Sequence, residues 1–469
     1  MPISHTFIYK QTSFILFGSL WILLGLLLVL GCTSKVERSG HYIQQDTLYI
    51  DRASYSNALE GFWLGTSIGN WTGLVTEMDK IGNIGEIRTG AFYTREDWGM
   101  PDEPNIWDEG QPSQLSETID FVLRSPGQHW GADDDTDIEY MYQYLMLKHN
   151  TARLTPQQIQ NGWLSHIATE EENYLWVSNQ RALDLMAQGY VPPQTGNPDL
   201  NEHTEMIDAQ LTTELFGLFA PGRPDIAREI ARLPIRTVAR EETEEIALFY
   251  VNMFALAALP SNKEIRNKLE FMASVARDSL SDEQYPAKMY DYVLGLYKSG
   301  ISWEAARDSV YEAYQIQQRH GYDLSSQNLY CNGCFAGGIN FAASLISLFY
   351  GEGDLLETIR IGSLAGWDSD NPTATWAGLL GFMMGADAVE AAFGQPLSRS
   401  FHIHRTRQGF PNDGYDTFPN MAKNGLKVID MVVSDELNGR VDAFGNRWAI
   451  PLPASTSTRN ESYTRSTTR

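Results

Sequence analysis

The sequence feature that most constrains the fold is a row of glycines spaced four residues apart. Gly61, Gly65, Gly69 and Gly73 share one face of any helix that forms there, because residues four apart lie on the same side of an α-helix. Each glycine costs about 1 kcal/mol relative to alanine in a helix. The stripe therefore predicts that another backbone or a ligand approaches this face closely, and we favour tight packing between two helices.

Apolar residues recur at spacings of three and four through the middle of the chain, which is the pattern of amphipathic helices. One such run begins at Ile265 behind a capping pair, Ser261 and Glu264, and another follows the pair Asp354 and Glu357. Alternating, strand-like runs are scarce, and dinucleotide-binding, P-loop, zinc-protease and serine-hydrolase motifs do not occur. We therefore expect an all-α fold.

The charge balance limits the partners that the protein can bind. The chain of 469 residues carries 35 Lys and Arg against 59 Asp and Glu, a formal net charge of −24. A surface of this sign repels a polyphosphate backbone. We therefore expect no nucleic-acid partner.

The N-terminal segment is typical of an export signal rather than of a folded core. Nearly uninterrupted apolar positions, 14–30, end at Gly31 and Cys32. This ending resembles the bacterial lipobox, in which the cysteine is acylated and becomes the mature N-terminus. An uncleaved anchor is the alternative, although a permanent membrane helix needs about 20 apolar residues. Both interpretations place the rest of the chain outside the cytoplasm, on the periplasmic or cell-surface side of a membrane.

These patterns divide the chain into four parts. A lipoprotein signal peptide covers residues 1–31 and a polar tether covers 32–52. One large helical domain follows, 53–453. Residues 454–469 contain one aromatic residue and no aliphatic side chain larger than Ala, which predicts a disordered tail.

Acidic residues crowd the start of one predicted helix. Asp133, Asp134, Asp135 and Asp137 directly precede a helical apolar stripe that begins at Ile138. One or two of them can cap free backbone N–H groups and favour the positive end of the helix dipole. Capping does not explain four, and like charges this close repel each other. A bound cation accounts for them, and a solvated acidic turn is the alternative.

A second stretch, 366–373, has the same organisation. Its acids, Asp368 and Asp370, precede Asn371, a proline and another apolar helical stripe. Neither stretch fits a calcium-binding EF-hand loop, because the positions for glycine and the final glutamate hold other residues. If the two clusters meet, they form a site between two helix starts, and all-oxygen ligands favour Mg²⁺ or Mn²⁺ over zinc or copper.

The three stretches, in this order, resemble the ADP-ribosylglycohydrolase family. The family's first motif, G-x-x-x-G-D-A-x-G-x-x-x-E, is matched by the last three glycines of the stripe and Glu77, with Asn70 at the position of the usual Asp. Its T-D-D-T motif is matched by 133–135 and Thr136, with Asp133 replacing the first Thr.

The late family motif, G-x-D-T-D-T, is matched by 366–370, with Asn371 replacing the last Thr. The segments Asn340-Phe-Ala-Ala-Ser and Tyr350-Gly-Glu-Gly-Asp, together with Pro221-Gly222, also look like the family. The resemblance covers about Leu59 to Ala386.

The resemblance implies one large orthogonal helical bundle that holds two Mg²⁺ or Mn²⁺ ions and the ribose of an ADP-ribosyl group. The implied metal ligands are Asp133, Asp134, Asp135, Asp368, Asp370 and Asn371. Glu77 and Asp135 are the implied catalytic carboxylates, Glu77 gating the site or assisting the attacking water. Hydrolysis of a ribosyl bond passes through an oxocarbenium-like state, which requires an oriented sugar, a positioned water and a nearby carboxylate.

The resulting hypothesis is an exported, membrane-anchored, metal-dependent hydrolase of an ADP-ribosyl or related ribosyl bond on a small molecule or a protein. Two alternatives remain. A non-catalytic surface lipoprotein would bind a nucleotide-sugar or glycan, and a hydrolase of the same chemistry would act on a different sugar. Retained turnover distinguishes the enzyme from the binding protein.

Four further residues leave questions open at this stage. Cys331 and Cys334 flank an Asn-Gly turn and form either a disulfide or two buried thiols. His402 and His404 alternate, which is typical of a hydrogen-bonded surface feature, and we therefore leave them out of the site.

Overall fold

Helices account for most of the residues that the computed structural model describes, which are 41–107, 111–169, 173–327, 330–442 and 444–453. Within these residues there are sixteen α-helices: α1 (Arg52–Gly73), α2 (Asp134–His149), α3 (Pro156–His166), α4 (Val177–Ala187), α5 (Asp208–Leu211), α6 (Leu215–Phe219), α7 (Pro224–Ile235), α8 (Glu241–Ala257), α9 (Ile265–Arg277), α10 (Tyr285–Lys298), α11 (Trp303–Val310), α12 (Gly337–Tyr350), α13 (Leu355–Ala365), α14 (Asp370–Met384), α15 (Ala386–Phe393) and α16 (Phe418–Asp435). The predominantly helical fold is confirmed. The predicted signal peptide with Cys32 and the predicted tail lie outside the described residues, among which no helix is long and apolar enough to cross a membrane.

The glycine stripe brings α1 into direct backbone contact with α14. A Cβ atom added to Gly65 would lie 2.9 Å from the carbonyl carbon of Ala377, and one added to Gly69 would lie 2.9 Å from the Cα atom of Ala374. Both distances are shorter than real Cβ contacts, so only glycine fits. The predicted tight helix packing is confirmed, and it fixes the register of α1 along α14.

Helix α1 is the central element of the core. It begins after Asp51, whose side chain accepts a hydrogen bond from the backbone N–H of Ser54 (2.8 Å). Its large side chains are buried around most of its circumference, among them Phe62 and Trp63. Helices α14, α15 and α16 pack against it, so α1 is covered on several sides.

A small sheet joins the two ends of the described chain, although the sequence predicted only helices. Strands β1 (Tyr42–Gln44) and β2 (Thr47–Asp51) belong to the segment predicted as a tether, so these tether residues are part of the sheet. Two-residue hairpin strands follow as β3 (Asn83–Ile84) and β4 (Ile87–Arg88), and β5 (Ser400–His402) pairs with β6 (Tyr415–Thr417). Strands β7 (Arg440–Val441) and β8 (Arg447–Pro451) complete an antiparallel sheet with the order β1-β2-β8-β7.

The two predicted capping pairs have different outcomes. Asp354 caps α13 by accepting a hydrogen bond from the backbone N–H of Glu357 (2.9 Å), as predicted. Glu264 occupies the cap position of α9 without a side-chain hydrogen bond to that helix. Ser261 instead accepts a hydrogen bond from the backbone N–H of Lys263 (3.1 Å). The second pair therefore forms a local turn, and the predicted capping box was wrong.

Candidate active site

The two acidic helix starts meet at the C-terminal end of α1. Asp133 caps α2 and accepts a hydrogen bond from the backbone N–H of Asp135 (3.1 Å). Asp370 is the first residue of α14, and Gly73, the last residue of α1, packs against its backbone. The chain then continues through a turn to Glu77. The glycine stripe thus brings together acids that are more than two hundred residues apart in the sequence.

Six carboxyl groups form two triads at this point. The first triad contains Glu77, Asp368 and Asp370, and the second contains Asp133, Asp134 and Asp135. In each triad, one carboxylate oxygen from each residue lies within 4.8 Å of the others. Such spacing allows three oxygens to bind one cation.

A cavity of about 230 Å³ opens onto both triads. All six acids line it, which confirms the expectation that the two clusters meet. Glu77, predicted as a catalytic carboxylate, shares a triad with Asp368 and Asp370. The other cavity residues are Leu74, Asn105, Trp107, Tyr174, Trp176, Val177, Ile207, Asp208, Leu211, Phe335 and His404.

Asn371, predicted as a metal ligand, is not among the cavity residues. Its side-chain amide donates to Asp135 Oδ1 (3.1 Å), and its own Oδ1 accepts a hydrogen bond from Gln210 Nε2 (3.1 Å). The oxygen that would bind a cation is therefore already hydrogen-bonded. In the structure, the hydrogen bond from Asn371 holds the carboxylate of Asp135 in place.

Burial and mutual repulsion disfavour the charged forms of these acids. Burial raises the pKa of Glu77, Asp135 and Asp368 well above the usual carboxyl range, and neighbouring carboxylates raise it further. The same two causes raise the pKa of Asp133 to about 8. Without a cation, some of these groups must retain protons near neutral pH.

The donor set matches a hard divalent cation. All six candidate ligands are carboxylates, which suit Mg²⁺ or Mn²⁺ rather than the softer metals. In addition, Oδ1 of buried Asp370 has no hydrogen-bond partner in the described part of the chain. An unsatisfied carboxylate oxygen inside an acidic cluster costs free energy unless a cation or a proton compensates it.

One uncharged residue bridges the two triads. Asn70, which is fully buried on α1, directs its side-chain N–H₂ group at both oxygens of Asp133, at 3.0 and 2.9 Å. The same nitrogen lies 3.3 Å from Asp370 Oδ2. Asn70 therefore contacts one acid of each triad.

A disulfide-closed loop supports Asp368. Cys331 and Cys334 are bonded, which resolves the question that the sequence left open. The carbonyl of Cys334 accepts a hydrogen bond from Asn340 Nδ2 (2.9 Å), and Asn340 Oδ1 accepts one from the backbone N–H of Asp368 (3.2 Å). The loop and one triad are thus connected through a single buried amide.

A buried ion pair anchors the start of α2. Asp137 and Arg407, 0% and 1% exposed, lie 2.8 Å apart between Oδ2 and Nε. Arg407 also donates to the carbonyl of Asn173 (2.6 Å). Sequence analysis placed Asp137 in the acidic stretch but gave it no partner, because nothing in the local pattern marks an arginine 270 residues later.

The outer part of the cavity is aromatic. Trp107 and Trp176, 38% and 37% exposed, have parallel rings with centroids 6.2 Å apart, and Phe335 is parallel to Trp107 at 5.7 Å. His404, which sequence analysis left out, also lines the cavity. Burial lowers the pKa of His404 to about 4, and nearby arginines act in the same direction, so the ring is neutral at pH 7.

One family of known proteins matches most of the chain. A family model described as ADP-ribosylglycohydrolase matches residues 51–423. Among solved structures, one titled "ADP-ribosylglycohydrolase-related protein complex" is 14% identical and has a TM-score of 0.40, over 81% of this chain and 99% of that chain. No curated protein sequence matches the chain.

Proposed function

Because the chain belongs to the ADP-ribosylglycohydrolase family, we propose that it is a metal-dependent hydrolase of an ADP-ribosyl or related ribosyl glycosidic bond. The observation that carries the proposal is the pair of carboxylate triads at one cavity. Two cations, Mg²⁺ or Mn²⁺, match the two triads.

The six acids of the two triads would hold the two cations. Asp133, Asp134 and Asp135 would hold one cation and Glu77, Asp368 and Asp370 the other, which gives Glu77 a ligand role beyond the one its sequence position suggested. When bound, the cations would polarise the ribose hydroxyls and lower the pKa of a nearby water.

Asp135 is our candidate for the carboxylate that stabilises the developing positive charge at the anomeric carbon. It is buried and lines the cavity, and Asn371 fixes its orientation through the hydrogen bond to Oδ1. Binding of cations would displace the protons that the triads retain, because metal ligands must be deprotonated.

The aromatic residues of the cavity favour a substrate with a flat group beside the ribose. Trp107, Trp176 and Phe335 form a run of nearly parallel rings in the cavity that the acids also line. Stacking of a nucleobase on one such ring contributes about 1–3 kcal/mol. We therefore expect a nucleoside-containing substrate, consistent with an ADP-ribosyl group.

One observation favours the alternative of a binding protein without turnover. Asn371 does not line the cavity and its Oδ1 accepts a hydrogen bond from Gln210, so the late motif provides its acids, Asp368 and Asp370, without this residue. A weaker second cation site would retain ribose binding but slow hydrolysis. Tight ADP-ribose binding with no release from any ribosyl or nucleotide-sugar substrate would establish this alternative.

A metal-titration experiment tests the hydrolase proposal. Mg²⁺ or Mn²⁺ should raise the melting temperature, since a ligand that binds only the folded state stabilises it. Asp134→Ala or Asp368→Ala should remove that gain, whereas Asp387→Ala, at an exposed acid on α15, should retain it. Hydrolysis should stop with chelator and return with metal. An unchanged melting curve for the parent protein in millimolar metal would refute metal dependence.

We also propose that Cys32 is lipidated and anchors the protein to a membrane on its periplasmic or cell-surface side. The support is the apolar run before Gly31-Cys32, and because one acyl chain binds membranes only marginally, several are expected. Cys32→Ser should give a protein that incorporates no fatty acid. Continued fatty-acid labelling of that variant would show that the lipobox interpretation is wrong.

A further inference from the structure

Asn70 occupies a position where a charged residue would face two carboxylates. Its nitrogen lies 2.9 Å and 3.0 Å from the two oxygens of Asp133 and 3.3 Å from Asp370 Oδ2. An –NH₂ group has two hydrogens, one for each carboxylate. The reverse orientation would bring the amide oxygen against the same three acceptors, so only the observed one is compatible with the surroundings.

The residues at 70 and 133 therefore depend on each other. A carboxylate at 70 would repel Asp133 and Asp370 at hydrogen-bond distance, and an uncharged residue at 133 would leave the buried amide of Asn70 with a weaker set of acceptors. The motifs quoted above have an acid on the helix and a threonine in the loop. This chain has the acid in the loop and the uncharged residue on the helix, so the pair keeps one negative charge but exchanges its location.

Building on the proposed metal site, we propose that Asn70 is a positioning residue that holds the two carboxylate triads in register, and that Asn70 and Asp133 act as one exchanged pair. Asn70 does not line the cavity. It acts through Asp133 and Asp370, each of which belongs to a different triad. The proposal predicts that the two positions are coupled in metal binding.

The test is a double-mutant cycle with Mn²⁺ binding measured by calorimetry on the purified full chain. Asn70→Asp should weaken binding by about 10–100-fold, the usual effect of disturbing the groups that orient metal ligands, and Asp133→Thr, which alters a proposed ligand, by at least as much. The variant with both substitutions restores the family arrangement, and it should return to within about threefold of the parent, since only non-additive residues recover in this way.

Asn252→Asp is the matched control. Asn252 is also buried, on α8, where it accepts a hydrogen bond from Arg228 Nη1 (3.0 Å) away from the acids. Its substitution introduces a buried carboxylate without touching either triad, and Mn²⁺ binding should not change. Loss of binding in this control as well would mean that any buried charge has the same effect, and would overturn the positioning role.

Recovery in the double variant decides the outcome even if one single variant cannot be purified. A double variant that folds but binds Mn²⁺ no better than the weaker single variant, or that does not fold, overturns the pairing while leaving the metal site intact. A parent protein that binds no Mn²⁺ overturns the proposed function and this inference together. The two failures are distinguishable, because the parent protein binds Mn²⁺ in the first case and does not bind it in the second.

Discussion

Gly65→Ala tests whether the glycine stripe is needed for close packing of α1 on α14. Alanine is favoured over glycine inside a helix by about 1 kcal/mol, so in an isolated helix the substitution would be stabilising. In the folded protein the added methyl group would meet the carbonyl group of Ala377 and lie 3.3 Å from the backbone nitrogen of Gly378. The neighbours are backbone atoms, which cannot rotate away as a side chain can.

Gly65→Ala is an overpacking substitution, because the two helix backbones must separate to admit the methyl group. Such substitutions cost roughly 1–3 kcal/mol. We expect about 3 kcal/mol, the upper end of this range, because the methyl group would contact the rigid backbone of α14. Subtracting the gain of about 1 kcal/mol in helix propensity leaves a net loss of about 2 kcal/mol in the free energy of unfolding.

Gly295→Ala is the matched control for this substitution. Gly295 lies within α10, and a Cβ atom added there would have no atom within 4 Å. The control should gain about 1 kcal/mol. Urea unfolding followed by circular dichroism measures both variants. If Gly65→Ala gains as much stability as Gly295→Ala, the added methyl group costs nothing and the packing argument is refuted.

Three other predictions concern buried charges and the disulfide. Arg407→Met should lower the free energy of unfolding by about 3–5 kcal/mol in urea unfolding, because it leaves Asp137 buried without a partner. Burial raises the pKa of Glu214 from 4.5 to about 7, so the folded state binds this proton more tightly than the unfolded state. Unfolding free energy, measured in chelator, should therefore fall as pH rises from 4.5 to 7, and Glu214→Gln should reduce that slope. Cys331→Ser with Cys334→Ser should weaken Mn²⁺ binding in calorimetry without unfolding the protein, since the closed loop supports one triad through Asn340.

Each of these predictions has a control and a contradicting result. Arg266→Met, at a half-exposed arginine, should change stability by less than about 0.5 kcal/mol, and an equal effect of both arginine variants would exclude a special role for the buried pair. An unaltered pH slope in Glu214→Gln would assign the slope to other acids. Unchanged Mn²⁺ binding after removal of both cysteines would show that the loop does not support the site.

The sequence predicted the part of the site that depends on local spacing. Glycines four residues apart indicated the contact between α1 and α14, and the two acidic stretches indicated a shared site. The hydrogen bonds of Asn371 could not be predicted, because its side-chain orientation depends on Gln210, which comes from another element. His404 was omitted because only the path of the chain after β5 brings it to the cavity.

The small sheet was missed for a different reason. Strand β2 pairs with β8 along five residues, 47–51 with 447–451, but neither segment alternates strictly between apolar and polar residues, so the sequence did not indicate strands there. Trp107 and Trp176 were missed because neither belongs to a run with helical or alternating spacing. Their significance comes from the geometry that brings their rings together.

The contact between α1 and α14 also limits how the protein can change during evolution. Inserting one residue into either helix turns everything beyond it by about 100°, which would move Asn70 or the acids away from the cavity. Insertions and deletions are therefore disfavoured within both helices, whereas Trp107, Trp176 and Phe335 lie outside the described helices, where a change in length does not rotate a helical face. New substrate preferences should arise in the segments that carry these three aromatic residues, while the acids of the two triads should keep their positions.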